Sequence, residues 1–127
     1  MKRVTGIGGI FFKSPNPERL GAWYRSHLGM DVGEWGGAIF PWGGPGGEPG
    51  MTLWRPFPHD TAKMAPSRSP FMLNFRVDNL DALLTALRAE GCEVLEETES
   101  SAFGKFGWVI DPDGNKVELW EPPGSDP

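Results

Sequence analysis

The segment Trp108-Val-Ile-Asp-Pro-Asp-Gly-Asn-Lys-Val-Glu-Leu-Trp120 predicts a β-hairpin near the end of the chain. Its two arms are rich in β-branched and aromatic residues, and the sequence between them is dense in turn formers. Pro112 presets one backbone angle of the turn, and Gly114 accepts a positive φ. Because side chains alternate along a strand, Glu118 and Trp120 share one face of the second arm. Glu118 is therefore a carboxylate on a sheet face, among apolar neighbours.

Two amphipathic helices precede the hairpin, each opened by an asparagine and closed by a glycine. Asn16 and Asn79 are good N-caps, and Gly29 and Gly91 end the two apolar patterns. The apolar residues recur at helical spacing, as Leu20, Trp23, Tyr24 and Leu28 in the first helix and as Leu80, Leu83, Leu84 and Leu87 in the second.

Short apolar and aromatic runs predict strands around these helices. In the first half of the chain they cover 4–12, 30–34, 38–42 and 51–54, and in the second half 70–77 and 92–95, followed by the hairpin. A glycine-rich loop is predicted at 43–50, and the proline-rich stretch 55–69 shows neither helical nor strand periodicity. The order of one strand, one helix and three strands therefore occurs twice.

Local similarities support an internal repeat. Phe12-Lys-Ser-Pro-Asn16 matches Phe75-Arg-Val-Asp-Asn79 at an offset of 63, and the glycines that close the helices lie 62 apart. Thr52-Leu-Trp-Arg-Pro56 matches Glu118-Leu-Trp-Glu-Pro122 at an offset of 66. We predict one domain of two βαβββ modules related by a pseudo-two-fold axis. Module 1 covers about 4–56, a connector 57–69, module 2 about 70–122, and a tail 123–127.

Composition narrows the function classes. A chain of 127 residues forms one ordinary domain, and a net charge of −5 without a basic cluster argues against a nucleic-acid partner. No apolar run is long enough to span a membrane, and no signal peptide is recognisable. Cys92 is the single cysteine, which permits no internal disulfide and fits a reducing cytosol. We therefore expect a cytoplasmic protein.

Taken together, several motifs resemble the vicinal oxygen chelate superfamily, which includes glyoxalases, bleomycin-resistance proteins and extradiol dioxygenases. They are the paired modules, the Trp23-Tyr24 to Leu28-Gly29 helix end, the Val77-Asp-Asn-Leu-Asp81 helix start and the terminal hairpin. The resemblance covers roughly residues 4–122. It implies an α+β fold whose paired βαβββ modules form a cupped mixed sheet, the glyoxalase/bleomycin-resistance fold. It also implies a small-molecule ligand or substrate in the cup, and a homodimer.

The resemblance further implies metal ligands on the first and last strands of each module. Those positions hold Gly9, Met72, Thr52 and Glu118, and Glu118 is the one with a ligand of the expected kind. A catalytic divalent site needs about three protein ligands, so we expect no metal or other cofactor of the family type. The alternative stays open that the connector carries His59 to Glu118 and completes a divalent-metal site.

Strand alternation, counted from the same positions, predicts what the cup presents to a ligand. The opposite parity, which includes Leu53, is expected to pack under the helices. The expected ligand-binding residues are Phe11, Thr52, Trp54, Met72, Asn74, Arg76 and Trp120, beside Glu118.

The role of Glu118 depends on its neighbours. An ion pair with Arg76 would lower the pKa of the carboxylate and make it a binding group, whereas an apolar setting would raise the pKa and suit a catalytic general base. A purely structural role in a hydrogen-bond network is the third reading. We predict a glyoxalase-like small-molecule-binding protein of the resistance or sequestration type. The alternative is a lyase, isomerase or dioxygenase relative that uses Glu118 as base or metal ligand.

Overall fold

The computed structural model describes residues 3–43 and 50–124. Its elements within those ranges are β1 (Val4–Ser14), α1 (Pro17–Leu28), β2 (Ala38–Trp42), β3 (Gly50–Pro58), β4 (Phe71–Val77), α2 (Leu80–Ala89), β5 (Glu93–Ser101), β6 (Gly104–Ile110) and β7 (Lys116–Glu121). Residues 44–49 of the predicted glycine-rich loop, and the last three residues of the tail, lie outside the described part of the chain.

The described strands form one mixed sheet in the order β2-β3-β1-β4-β7-β6-β5. At its centre β1 and β4 run antiparallel, while β1 pairs with β3 and β4 pairs with β7 in parallel. The two halves of the sheet are therefore related as the paired-module fold requires. Both helices lie on one face of this sheet, and we call the opposite face the cup.

The helix starts confirm the sequence pattern. The side chain of Asn16 accepts the backbone N–H of Arg19, and that of Asn79 accepts the backbone N–H of Ala82. Each asparagine thus satisfies one amide that the first helical turn leaves free. Gly29 ends α1 in the left-handed conformation at φ 66°.

The core on the helix side is largest beneath α2. Five aliphatic side chains are buried there, and Phe75, Val94 and Val109 pack against them. The five are Val77, Leu80, Leu83, Leu84 and Leu119. Beneath α1 the contact is aromatic instead, because the Trp54 ring lies 4.7 Å from Tyr24 and 5.4 Å from Phe12.

The strand predicted at 30–34 does not form. The Arg25 guanidinium donates to the backbone oxygen of Val32 at 2.8 Å, and Met30 N–H donates to the Tyr24 oxygen. Backbone groups that a sheet would pair, the Met30 N–H and the Val32 oxygen, are thus bonded to the end of α1. A turn around Trp35 then leads directly into β2.

The strand register corrects one of the sequence matches that define the repeat. Phe11 pairs with Arg55 and Asn74 pairs with Glu118, and each member of the second pair lies 63 positions after its counterpart in the first. The helix caps have the same offset. The match of Thr52 to Glu118 at 66 was therefore wrong by three residues, and an odd error exchanges the two faces of a strand.

The connector is shorter than predicted, because β3 continues to Pro58. It then crosses the cup face, where Met64 packs among Phe11, Phe57 and Met72 with no exposed surface. Within the described ranges, neither helix is long and apolar enough to cross a membrane.

Candidate functional site

The polar floor of the cup is built on three adjacent strands. Asn74 on β4 and Trp108 on β6 are the register partners of Glu118 on β7. The Asn74 amide nitrogen donates to one carboxylate oxygen of Glu118 at 2.6 Å, and the Trp108 indole N–H donates to the other at 2.9 Å. The sheet register therefore fixes the carboxylate between two donors.

The remaining polar atom of this floor has no hydrogen-bond partner among the residues that the structure describes. Asn74 is 3% exposed, and its side-chain oxygen accepts no hydrogen bond from the described residues. It points toward Gly8, where an added Cβ would lie 2.3 Å from that oxygen and 2.9 Å from the Trp120 ring. Because Gly8 has no side chain, the Asn74 oxygen can occupy this position.

Burial dominates the electrostatics of Glu118. Desolvation raises the pKa of its carboxyl, although the hydrogen bonds from Asn74 and Trp108 and the charges of Lys116 and Lys63 act to lower it. The two donors that hold its carboxylate oxygens are the Asn74 amide and the Trp108 indole. The apolar setting, one of the two alternatives considered above, describes this carboxylate.

Apolar side chains surround the floor. Phe11 and Met72 lie in the cup with Phe57 and Met64, and the Phe11 and Phe57 rings stack at 5.4 Å. Leu53 and Trp108 pack against this cluster. The cup thus combines one buried carboxylate and one buried amide with aromatic and thioether surface, a composition typical of small-molecule sites.

Trp120 and Arg76 lie at one end of the polar floor. The Trp120 indole donates to the backbone oxygen of Phe103 at 2.8 Å, and its ring stacks on Phe106. The Arg76 guanidinium lies 5.6 Å from the centroid of the Trp42 ring. They are register partners across β4 and β7.

The face predicted for β3 was wrong. Trp54 packs under α1 against Tyr24, and the residues of β3 that face the cup are Leu53, Arg55 and Phe57. The Thr52 hydroxyl donates to the backbone oxygen of Ile7 at 2.6 Å and accepts from the Trp42 indole, so it is not part of the polar floor. The repeat offset that was wrong by three residues explains the errors at Trp54 and Thr52.

The donor set does not fit a family-type metal site. Gly9 has no side chain, Met72 is packed in apolar surroundings, and the position equivalent to Glu118 in module 1 is the cation Arg55. Across residues 3–43 and 50–124, no group of three His, Cys, Asp or Glu side chains could hold a metal ion. His59, the residue left open for this role, is exposed.

Sequence reasoning missed several cup residues. Trp108 was assigned to a strand but not to the site, although its position opposite Glu118 across a two-arm hairpin could have indicated the contact. Met64 gave no signal, because its stretch has no periodicity and reaches the cup only through the tertiary fold. Arg55 and Phe57 follow from the correct repeat offset.

Two open concavities on the described part of the surface lie away from the polar floor. One of about 720 Å³ runs along α1 and is lined in part by Asn16, Trp23 and His27. Another of about 420 Å³ lies between the connector and the β6–β7 turn, beside Arg68 and Asp113. Neither includes the carboxylate of Glu118.

Comparison with protein families agrees with this architecture. The family model described as the glyoxalase-like domain matches residues 9–120, which includes the whole polar floor. The chain belongs to the glyoxalase-like domain family. The resemblance to the vicinal oxygen chelate superfamily is thereby confirmed. No curated protein sequence matches this glyoxalase-like chain significantly.

Solved structures share the glyoxalase-like fold at low identity. Methylmalonyl-CoA epimerase from Mycobacterium tuberculosis is 24% identical, with a TM-score of 0.66 over 98% of this chain and 92% of that one. Methylmalonyl-CoA epimerase from Streptomyces coelicolor is 19% identical, with a TM-score of 0.65 over 95% and 99%. A glyoxalase/bleomycin resistance protein/dioxygenase superfamily member from Vibrio splendidus 12B01 is 14% identical, with a TM-score of 0.58 over 91% and 97%. These likenesses establish the fold alone.

Proposed function

We propose that this protein binds an organic small molecule in the cup, against the floor formed by Asn74, Glu118 and Trp108. The observation that carries the proposal is the buried Asn74 oxygen without a partner beside a carboxylate held by two donors. An unsatisfied buried acceptor costs about 1–3 kcal/mol. A ligand hydroxyl or N–H that reaches this oxygen would recover that cost.

The apolar walls support the same proposal. With Met64 of the connector displaced, Phe11, Met72 and Trp108 would provide aromatic and thioether surface for the body of a ligand, while the floor provides acceptors that orient one polar end. Binding of this kind without turnover is the sequestration role, and the donor set described above gives no support to a metal-chelating mechanism.

Substitution of two tryptophans, one in the cup and one outside it, tests the binding site. N-phenyl-1-naphthylamine, a neutral amphipathic fluorophore with one N–H, should bind one molecule per chain with increased emission. Trp108→Ala should weaken this binding several-fold, because the residue lines the cup. Trp23→Ala is the matched control, since that ring is half exposed on α1. A weaker affinity in the Trp23 variant alone, or no binding by the native protein, would overturn the proposal.

Proton transfer by Glu118 is the second candidate function. Its support is the pKa of the carboxyl, which burial raises toward the range where a carboxylate removes a proton from carbon next to a carbonyl. Structures named as methylmalonyl-CoA epimerase share the fold, and an epimerase is an isomerase. The chemistry requires a base placed beside an apolar substrate surface, which the cup provides.

Isotope exchange separates the two candidates. The protein would be incubated with methylmalonyl-CoA in deuterium oxide, and deuterium at the carbon between the carbonyls followed by NMR. General-base catalysis predicts exchange that Glu118→Gln slows by about 100-fold or more. Exchange equally fast in the variant would refute the role of Glu118. Probe binding without exchange in the native protein would assign the cup to binding of other ligands.

We also propose a cytoplasmic homodimer. Ile7, Ile10 and Phe71 form an exposed apolar strip on the two central strands, on the face that carries the helices. Burial of such a strip against a second copy would remove it from water. Light scattering should give the mass of two chains, and Ile10→Lys should give the mass of one. A native monomer at high micromolar concentration would contradict this.

A further inference from the structure

Cations lie over aromatic rings at one edge of the cup. The Arg55 guanidinium is 5.8 Å from the centroid of the Trp35 ring and 5.2 Å from that of Phe57. The Lys63 ammonium of the connector is 5.8 Å from the same Phe57 ring. Arg55 and Lys63 are thus brought together by one aromatic side chain, although they come from a strand and from the connector.

Lys116 continues this arrangement across the sheet. Its ammonium donates to the backbone oxygen of Lys63 at 2.8 Å and lies 5.3 Å from the centroid of the Trp108 ring. Trp108 in turn contacts Glu118. We call Arg55, Lys63 and Lys116 the cationic rim.

Among the residues that the structure describes, the rim has few negative partners. The salt bridges found within residues 3–43 and 50–124 are Arg3–Glu90 and Lys105–Asp81, and neither involves a rim residue. The acidic groups whose charges act on Lys116 are Glu118, already held by two donors, and Glu97. Partial burial lowers the pKa of Lys116, so this ammonium gives up hydration in its present position. A cluster of incompletely balanced cations is notable in a chain of net charge −5.

The rim and the polar floor occupy adjacent rows of the sheet. Arg55, Phe11 and Met72 are successive register partners across β3, β1 and β4, and Lys116 precedes the β7 partner of Leu73. Cations therefore stand at both ends of an apolar row. With neighbouring strands about 4.8 Å apart, three strand spacings separate these ends by roughly 14 Å.

We propose that the cup is specific for amphipathic anions, whose carboxylate, phosphate or sulfonate group is held by cations of the rim while the apolar body displaces Met64 from its place against Phe11 and Met72. This inference rests on the proposed function, because it requires that the cup bind a small molecule. Guanidinium and ammonium groups recognise such oxyanions by charge-assisted hydrogen bonds. The ring contacts hold the cations in place without neutralising them.

A pair of probes that differ by one charged group tests the rim. 8-Anilinonaphthalene-1-sulfonate is N-phenyl-1-naphthylamine with an added sulfonate, so the difference in affinity reports that group. The native protein should bind the sulfonate at least about tenfold more tightly at low ionic strength, and the advantage should shrink as salt is added. Lys63→Met, which removes the cation that adjoins both Arg55 and Lys116, should reduce the advantage several-fold. The larger of the losses in Arg55→Met and Lys116→Met identifies the end of the row that holds the anion, and binding of the neutral probe should stay nearly unchanged.

Arg19→Gln serves as the control, because it removes one positive charge from α1, away from the rim. It should leave the sulfonate advantage as it is in the native protein. Equal affinity for the two probes, or a loss that is the same in the Arg19 variant, would refute the anion specificity while leaving the cup as a binding site. Failure of both probes to bind would instead refute the proposed function.

The class of anion is resolved by displacement. Dodecanoate and dodecyl phosphate should both displace the bound sulfonate probe more effectively than dodecanol, and the better competitor identifies carboxylate or phosphate as the preferred group. Displacement by dodecanol as effective as by both anions would contradict the proposal.

Discussion

The two modules follow one backbone plan and bury different side chains. Beneath α2, five aliphatic residues are withdrawn from water. Beneath α1, Gly21 is the fully buried helix residue among those described, and Trp23 and Leu28 remain 50% and 60% exposed. Module 2 therefore carries most of the aliphatic core, while α1 covers its half of the sheet through aromatic contacts.

The same contrast continues in the cup. Asn74 and Glu118 in module 2 correspond, at an offset of 63, to Phe11 and Arg55 in module 1. One half of the cup therefore presents hydrogen-bond acceptors, and the other presents an aromatic ring and a cation. Each of the following experiments tests this difference between the modules.

The largest expected effect comes from the core of module 2. Leu80→Ala removes a side chain that is 1% exposed and should lower the free energy of unfolding by about 2–5 kcal/mol. Trp23→Ala, on the matching helix of module 1, should cost clearly less because half of that ring is already in water. Urea unfolding measures both, and equal losses would show that the modules share the core equally.

A smaller effect is expected where module 1 touches the polar floor. Gly8→Ala places a Cβ against the Asn74 oxygen and the Trp120 ring, whose side chains are buried and held through the Asn74 nitrogen and the Trp120 indole N–H, and should destabilise the protein by about 1–3 kcal/mol. Gly21→Ala is the control within module 1, where Val32 alone is near and alanine favours the helix. A Gly8 variant as stable as the Gly21 variant would mean that the floor is not closely packed.

The pH dependence of stability should single out the floor carboxylate. Because burial raises the pKa of Glu118 above its ordinary value of 4.5, the folded protein keeps this proton to a higher pH than the unfolded chain does. Stability should therefore fall as pH rises from 4.5 through the raised value. Urea midpoints of the native protein and of Glu118→Gln, measured across that window, should converge at low pH and separate as it rises. Parallel profiles would contradict the burial argument.

The smallest effect is expected at the contact between the start of module 1 and the end of α2. Arg3 and Glu90 form an ion pair at 2.7 Å, but both side chains are about half exposed. Solvent screens such a pair, so Arg3→Gln should leave the urea midpoint unchanged within error. A clear loss of stability, absent in a control substitution at exposed Arg19, would show that the modules are joined here.

The sequence allowed much of the fold to be predicted, because its strongest signals are local. The asparagine caps, the helical spacing of Leu80 to Leu87 and the turn formers of the hairpin act within a few residues of each other. The strand at 30–34 was wrong because Arg25 captures the Val32 oxygen, a contact that propensity does not contain.

The candidate site was less accessible from sequence, because it depends on register and tertiary contact. Alternation put Asn74 and Glu118 on one face of the sheet, and the strand register makes them neighbours. A repeat offset wrong by three residues turned Trp54 to the wrong face and concealed Arg55. Met64 reaches the cup through a connector with no periodic pattern, so only the folded chain reveals it.

Because Arg55 and Glu118 occupy equivalent positions, few substitutions separate the present cup from one with the ligands of a metal site. Restoring the symmetry of the repeat by Arg55→Glu would place a second carboxylate in the cup, and Phe11→His would add an imidazole beside it. Together with Glu118 these would supply the three ligands that a divalent ion requires. Two substitutions therefore separate the present cup from the number of ligands found in a metal site.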